Sequence, residues 1–216
     1  AVGASAFAAE GFSTAIGAFS FALGPESTTL GAYAMAWGHY STAIGYSSSA
    51  SNVGSTAVGF AASSYGYLST ALGTGAVARG AYSIAAGLGA YTGYYAQNET
   101  ALGTNASALG YASTAVGSNA TARGDSSIAV GNTSLARGDY ATAVGPFAVA
   151  QGYSSVALGD TANALSDNSI AIGKNSYVAA TGPLSSNYYS GTSSIVPTEG
   201  IAIGTGASVT GVKGMA

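Results

Sequence analysis

Polar and apolar residues alternate with a period of two in short runs along this chain, and each run ends on glycine. In Ser113 to Val116 the alternation closes at Gly117; in Ala120 to Arg123 it resumes and closes at Gly124, seven residues later. Such alternation predicts a β-strand with opposite faces, and a terminal glycine predicts a turn where a Cβ would clash. The pair of runs then repeats. Glycines recur every 14 residues at Gly17, Gly31, Gly45, Gly59, Gly73 and Gly87, step by 16 to Gly103, and return to 14 at Gly117, Gly131, Gly145, Gly159 and Gly173 before a gap to Gly204. A fixed short period sustained along a chain marks a solenoid, whose coils bury their apolar face only against their neighbours. The alternative for an alanine-rich chain is a helix, but glycine every seven residues costs about 1 kcal/mol each, and β-branched Thr, Ile and Val stand between. The prediction is an all-β, single-stranded parallel β-solenoid with about 14 residues and two short strands per coil.

The second strand shows which way it faces. Its Ala-x-Ala positions stay small (Ala34/Ala36, Ala76/Ala78, Ala106/Ala108, Ala148/Ala150), while the positions between them range from Val77 and Arg79 to Thr121 and Arg123. Variable polar positions face water, so these alanines point inward. The first strand is ambiguous. Small residues opposite large ones fill a thin roll well, which favours Ile44, Val58, Leu72, Val116, Val130 and Ile172 inside and leaves the row Ala43, Ala57, Ala71, Ala101, Ala115 and Ala129 for close approach of a second chain. The rival arrangement has an all-small core and turns the aliphatics toward another subunit. In either case one coil encloses little apolar volume, which calls for oligomerisation.

Composition narrows the function. Among 216 residues 33 are glycine and only 6% are charged, with a net charge of −3 from five Lys and Arg against eight Asp and Glu. No basic stripe exists for nucleic acid or an anionic membrane. Without cysteine there is neither a disulfide nor a thiolate metal site. His39 is the sole histidine and has no partner at ligand spacing, so it reads as a surface corner residue. The carboxylates form no acid and base pair, the serines lack an activating base, and no GK[ST] follows the glycines. The chain is expected to be no enzyme and to need no cofactor. It opens inside a repeat, at Ala1 to Gly3, and reads as a piece excised from a longer protein.

The pentads SIAVG (Ser127 to Gly131), SVALG (Ser155 to Gly159) and SIAIG (Ser169 to Gly173), each followed by an A-x-A-x-G half-repeat or a close variant, resemble the head repeats of the YadA-like trimeric autotransporter adhesins. The likeness runs through almost the whole chain. It implies a left-handed β-roll, assembled as a homotrimer and displayed on the surface of a Gram-negative bacterium. Such a head adheres to host extracellular matrix, to cells or to its own kind, and the parent protein is anchored in the outer membrane by a region outside this sequence. The family's asparagine before the pentad is kept at Asn168 but not at Tyr40 or Leu68, which leaves the ligand unassigned.

Where the repeat breaks, binding is sought. The stretch 181–200 exceeds the period by about 17 residues and carries the adjacent Tyr188 and Tyr189; insertions in solenoids emerge as loops, often on the binding face. A two-residue irregularity lies within 88–98, near Tyr91, Tyr94 and Tyr95. Arg123-Gly124-Asp125 and Arg137-Gly138-Asp139 spell an integrin-type RGD tripeptide twice, one period apart, with glycine at a corner in both. Tyrosines after the corners (Tyr40, Tyr46, Tyr82, Tyr111, Tyr140, Tyr153) form an outward aromatic set. Asn98, Asn105, Asn119 and Asn132 head Asn-x-Ser/Thr sequons that serve here as turn residues. Two other readings exist. The threonine column Thr14, Thr42, Thr56, Thr70 suits an ice-binding solenoid, but Ile84 and Ile128 interrupt it and no second threonine column stands beside it. A purely structural spacer would bind nothing.

Overall fold

The computed structural model describes residues 1–94, 96–179, 199–210 and 214–215. They form a parallel β-solenoid whose chain divides into two compact units, Ala1–Asn119 and Ala120–Ala216.

In the first unit, two-residue strands from Phe7–Ala8 to Ser107–Ala108 alternate along the chain with three-residue strands from Thr14–Ile16 to Thr114–Val116. Each kind stacks in its own parallel sheet. The register is the repeat itself: Thr42 pairs with Thr56, Ala43 with Ala57 and Ile44 with Val58. The second unit follows the same plan from Thr121–Ala122 onward. There Ile170 pairs with Ile201 and Tyr177 with Ser208, so the coils close in register across an offset of 31 residues.

The core consists almost wholly of small residues, with Val178 and Val209 the buried exceptions among its apolar members. Ala34, Ala36, Ala43, Ala50, Ala57 and Ala62 form one fully buried cluster, and Ala71, Ala76, Ala78, Ala85 and Ala90 another. The inward alanines of the second strand are as the alternation predicts. The first strand is the reverse of the filling argument: Ala43, Ala57, Ala71, Ala101, Ala115 and Ala129 lie inside with no exposed area, while Leu72 is 49% exposed and Ile44, Val58, Val116, Val130 and Ile172 are half-buried on the outer face. The reason is thickness. Stacked sheets with ordinary side chains between them stand about 10 Å apart, and a coil that turns every seven residues cannot hold them that far open. Alanine facing alanine fits the narrower gap.

Serine completes this core. Ser41, at the start of a pentad, is fully buried and its Oγ donates to the corner carbonyl of Gly38 at 2.6 Å; Ser155 does the same to Gly152 at 2.7 Å. A buried hydroxyl is thereby satisfied by a carbonyl that the turn leaves partly unpaired. The corners themselves need unusual backbone. Gly59 has φ +136°, and a Cβ there would stand 2.6 Å from the carbonyl oxygen of Gly73 in the next coil. Two residues further on, each corner places one residue in the left-handed region, such as Ala61 (φ 53°), Tyr40 (φ 57°) or Asn119 (φ 56°).

Candidate binding surface

Because the core is built almost entirely of alanine and serine, nearly every large side chain is driven outward, and the coil repeat arranges these side chains in columns. In the first unit the three-residue strands present a threonine column (Thr42, Thr56, Thr70) beside an aliphatic one (Ile16, Leu30, Ile44, Val58, Leu72, Leu102). Ile16, Leu30, Leu72 and Leu102 are 38–49% exposed. The second unit repeats the arrangement with Val130, Val144, Leu158 and Ile172. Exposed apolar columns of this kind are candidate association surfaces.

The corners carry aromatic rings. Phe19 and Tyr33 stack at 5.3 Å, Tyr33 meets Tyr46 edge-on at 5.6 Å, and Tyr46 stacks on Phe60 at 5.5 Å. At the opposite corner Tyr67 and Tyr82 pair edge-on at 5.5 Å, as do Tyr140 and Tyr153 in the second unit. The six post-corner tyrosines expected to face outward are all exposed, as is His39.

Both RGD tripeptides lie on the second unit, one coil apart and stacked. Arg123 and Arg137 are exposed at strand ends, where their backbone amides donate to Ala136 and Ala150 carbonyls at 2.8 Å. Asp139 is half-buried, and its Oδ1 accepts the backbone N–H of Asp125 at 2.9 Å. A Cβ on Gly124 would collide with the Gly138 carbonyl, so the tripeptide is held as a packed corner and not as a mobile tip. The Asp139 carboxylate is thus engaged in joining coils. Tyr188 and Tyr189, with the rest of the 181–198 stretch, lie outside the described residues, as does Tyr95.

The two-residue irregularity builds something that sequence reasoning did not assemble. Tyr91 pairs with Ser107 at an offset of 16, whereas Val77 pairs with Tyr91 at 14, so the two additional residues widen the corner 93–98. Two polar residues enter the core beside it. Thr92 takes an alanine place and donates from Oγ1 to Ser83 Oγ at 2.9 Å. Glu99 takes the serine place and is fully buried, and neither carboxylate oxygen has a hydrogen-bond partner. It lies under Gly80, where a Cβ would stand 2.7 Å from its Cδ. Burial pushes its carboxyl from 4.5 up to about 7.

Outside the same corner is a groove of about 620 Å³, lined by Asn52, Tyr65, Tyr67, Arg79 and Tyr94 among others. The Arg79 guanidinium stands 5.8 Å from the Tyr65 ring centre and 5.5 Å from that of Tyr91. A search by column would have found Glu99, since it is the one charged residue in a row that from Ser13 to Ser169 is otherwise made of Ser and Ala141. The groove has no comparable signal, because its residues come from four different coils.

Comparison with known proteins agrees with this architecture. The profile of the YadA head domain repeat matches residues 38–62, 64–90, 100–120, 122–148 and 150–176. The crystal structure of the collagen-binding domain of the Yersinia adhesin YadA superposes with a TM-score of 0.52 at 25% identity, over 77% of this chain and 82% of that one. No curated protein sequence matches significantly. Repeats matched over more than half the sequence, on a solenoid with the same two-stranded coil, mean that this chain belongs to the YadA head domain repeat family.

Proposed function

We propose that this chain is the adhesive head of a homotrimeric bacterial surface protein, held at the outer membrane by a region outside this sequence and attaching its bearer to host matrix, to cells or to other bacteria. The observation that carries the reading is the outward column of Leu and Ile, which leaves an apolar face that a monomer in water has no use for. Three copies meeting on it gain about 1 kcal/mol for each aliphatic residue they cover, roughly half the full transfer value because these side chains are already about half-buried. Membership of a non-enzymatic head family supports adhesion as the task, and the Yersinia relative is named for collagen binding. The aromatic corners then remain outside as repeated weak contacts, summed over coils and chains. RGD contributes little in this reading, because its glycine and the Asp139 carboxylate are occupied in the coil.

Sedimentation of the free chain tests the assembly: a trimer is expected, and Leu102→Asp should return it to monomer. Adhesion is measured on a panel of collagen, other matrix proteins, cells and the protein itself, with the chain fused to a trimeric coiled coil. Deletion of Leu184 to Thr198, which carries Tyr188 and Tyr189, is expected to remove a discrete site, while Arg123→Ala, Asp125→Ala, Arg137→Ala and Asp139→Ala each change adhesion little. A free chain that stays monomeric, with no adhesion when presented on the coiled coil, rejects the proposal. Freezing hysteresis in its place would support the ice-binding reading.

A further inference from the structure

Arg79 is the only Lys or Arg among the first 119 residues, and it makes no ion pair among the described residues. Its one nearby carboxyl, Glu99, lies inside the coil on the far side of the backbone at Gly80. The guanidinium is exposed, yet it is held between the rings of Tyr65 and Tyr91. A guanidinium fixed over aromatic faces loses little freedom on binding and keeps its N–H edge for a planar, two-pronged acceptor.

The walls around it are equally well held. Asn52 Nδ2 donates to the Tyr65 carbonyl at 3.2 Å while its Oδ1 accepts the Val53 amide at 2.8 Å, which fixes the strand end that carries Tyr65. Tyr67 is braced edge-on by Tyr82. Tyr94, 64% exposed, comes from the widened corner and closes the groove on the side where a regular coil has no residue to offer.

The lining therefore combines one cation, no anion, tyrosine faces, phenolic hydroxyls and an amide, and it has no aliphatic pocket. We propose that this groove binds a carboxylate-bearing sugar, the acidic residue of a glycan chain. Arg79 takes the carboxylate in a bidentate pair, Tyr65 and Tyr94 take the C–H face of the ring, and the hydroxyls of Tyr65 and Tyr67 bond those of the sugar. A peptide is the poorer fit, since its apolar side chains would find no pocket to enter. A polyanion recognised by charge alone fits no better, because the chain has a net charge of −3 and Arg79 is the single Lys or Arg of the first unit.

The assignment rests on the adhesin reading only for where such a glycan would be met. Saturation-transfer NMR and calorimetry with 3′-sialyllactose and with a glucuronate-terminated disaccharide, against lactose as the neutral control, test it directly on the whole chain. Binding of at least one acidic sugar and not of lactose is expected. Arg79→Gln and Arg79→Lys should each weaken it about tenfold or more, the lysine because it keeps the charge and loses the fork. Tyr94→Ala should weaken it several-fold.

Equal binding of lactose, undiminished binding by Arg79→Gln, or binding of an acidic peptide in place of both sugars each overturns the proposal. So does failure of both acidic sugars to bind. If Arg79→Gln abolishes sugar binding and leaves adhesion to cells intact, the groove stands and the adhesive contact lies elsewhere. Adhesion lost by other substitutions while sugar binding persists separates the two readings in the other direction.

Discussion

Glu99 makes the stability of the first unit depend on pH in a direction opposite to that of most carboxylates. A protonated carboxyl tolerates the alanine core; a charged one with no partner does not. The folded state raises this group from 4.5 to about 7, so between those values the folded chain holds a proton that the unfolded chain has released. Stability is then fully present below about pH 4.5, falls as pH rises, and levels off above about 7. At about 1.4 kcal/mol per pH unit the loss amounts to at most about 3 kcal/mol, a large share of the margin of an ordinary domain. Urea unfolding followed by far-ultraviolet circular dichroism, at fixed ionic strength from pH 4.5 to 8.5, measures it. Glu99→Gln keeps the volume and removes the titration, so the difference between wild type and variant isolates this one group. That difference should move by up to about 3 kcal/mol in favour of the variant as pH rises. Glu99→Ser, which restores the serine column, should flatten the profile in the same way. A difference that stays constant with pH, or moves in favour of the wild type, would refute the account of Glu99 as an unpartnered buried acid.

Two further predictions follow from the corners and the core. Gly59→Ala forces a Cβ against the Gly73 carbonyl at φ +136° and should destabilise by about 3 kcal/mol or more, whereas Gly75→Ala, at φ +64° with nothing within 4 Å, should cost only about 1 kcal/mol. Thermal melts of the pair decide it, and equal losses would show that close stacking of the coils is not what selects glycine. Ala57→Leu puts a large side chain into a gap built for alanine and should cost about 3 kcal/mol or more, where Val58→Leu on the outer face leaves the melting temperature of the monomer nearly unchanged.

Much of this fold was legible because glycine spacing and alternation report directly on turns and strands. The Ala-x-Ala strands gave their inward face through the variability of their neighbours, from Arg79 to Thr121. The first strand did not, since Ser and Ala on one face and Thr and Ile on the other are both acceptable to a β-strand. Its parity is decided by the distance between the sheets, which no single coil reveals. The binding groove was beyond reach for a related reason. Asn52, Tyr65, Arg79 and Tyr94 become neighbours only when four coils are stacked, and the widened corner that brings in Tyr94 reads in sequence as a defect of period.

An interior made of alanine and serine has a consequence for how such a chain changes over time. Where a core holds interlocking large side chains, altering the surface often disturbs what lies beneath it. Here the two are separate vocabularies. The inner positions accept almost nothing but two small residues, and the outer columns can be rewritten without consulting them. The widened corner at 93–98 shows the same freedom extended to the backbone: two residues are added, and the strands on either side still pair in register. A lineage under pressure to alter what it touches, or a designer seeking a rigid support for a chosen row of side chains, is given independent control of the exterior.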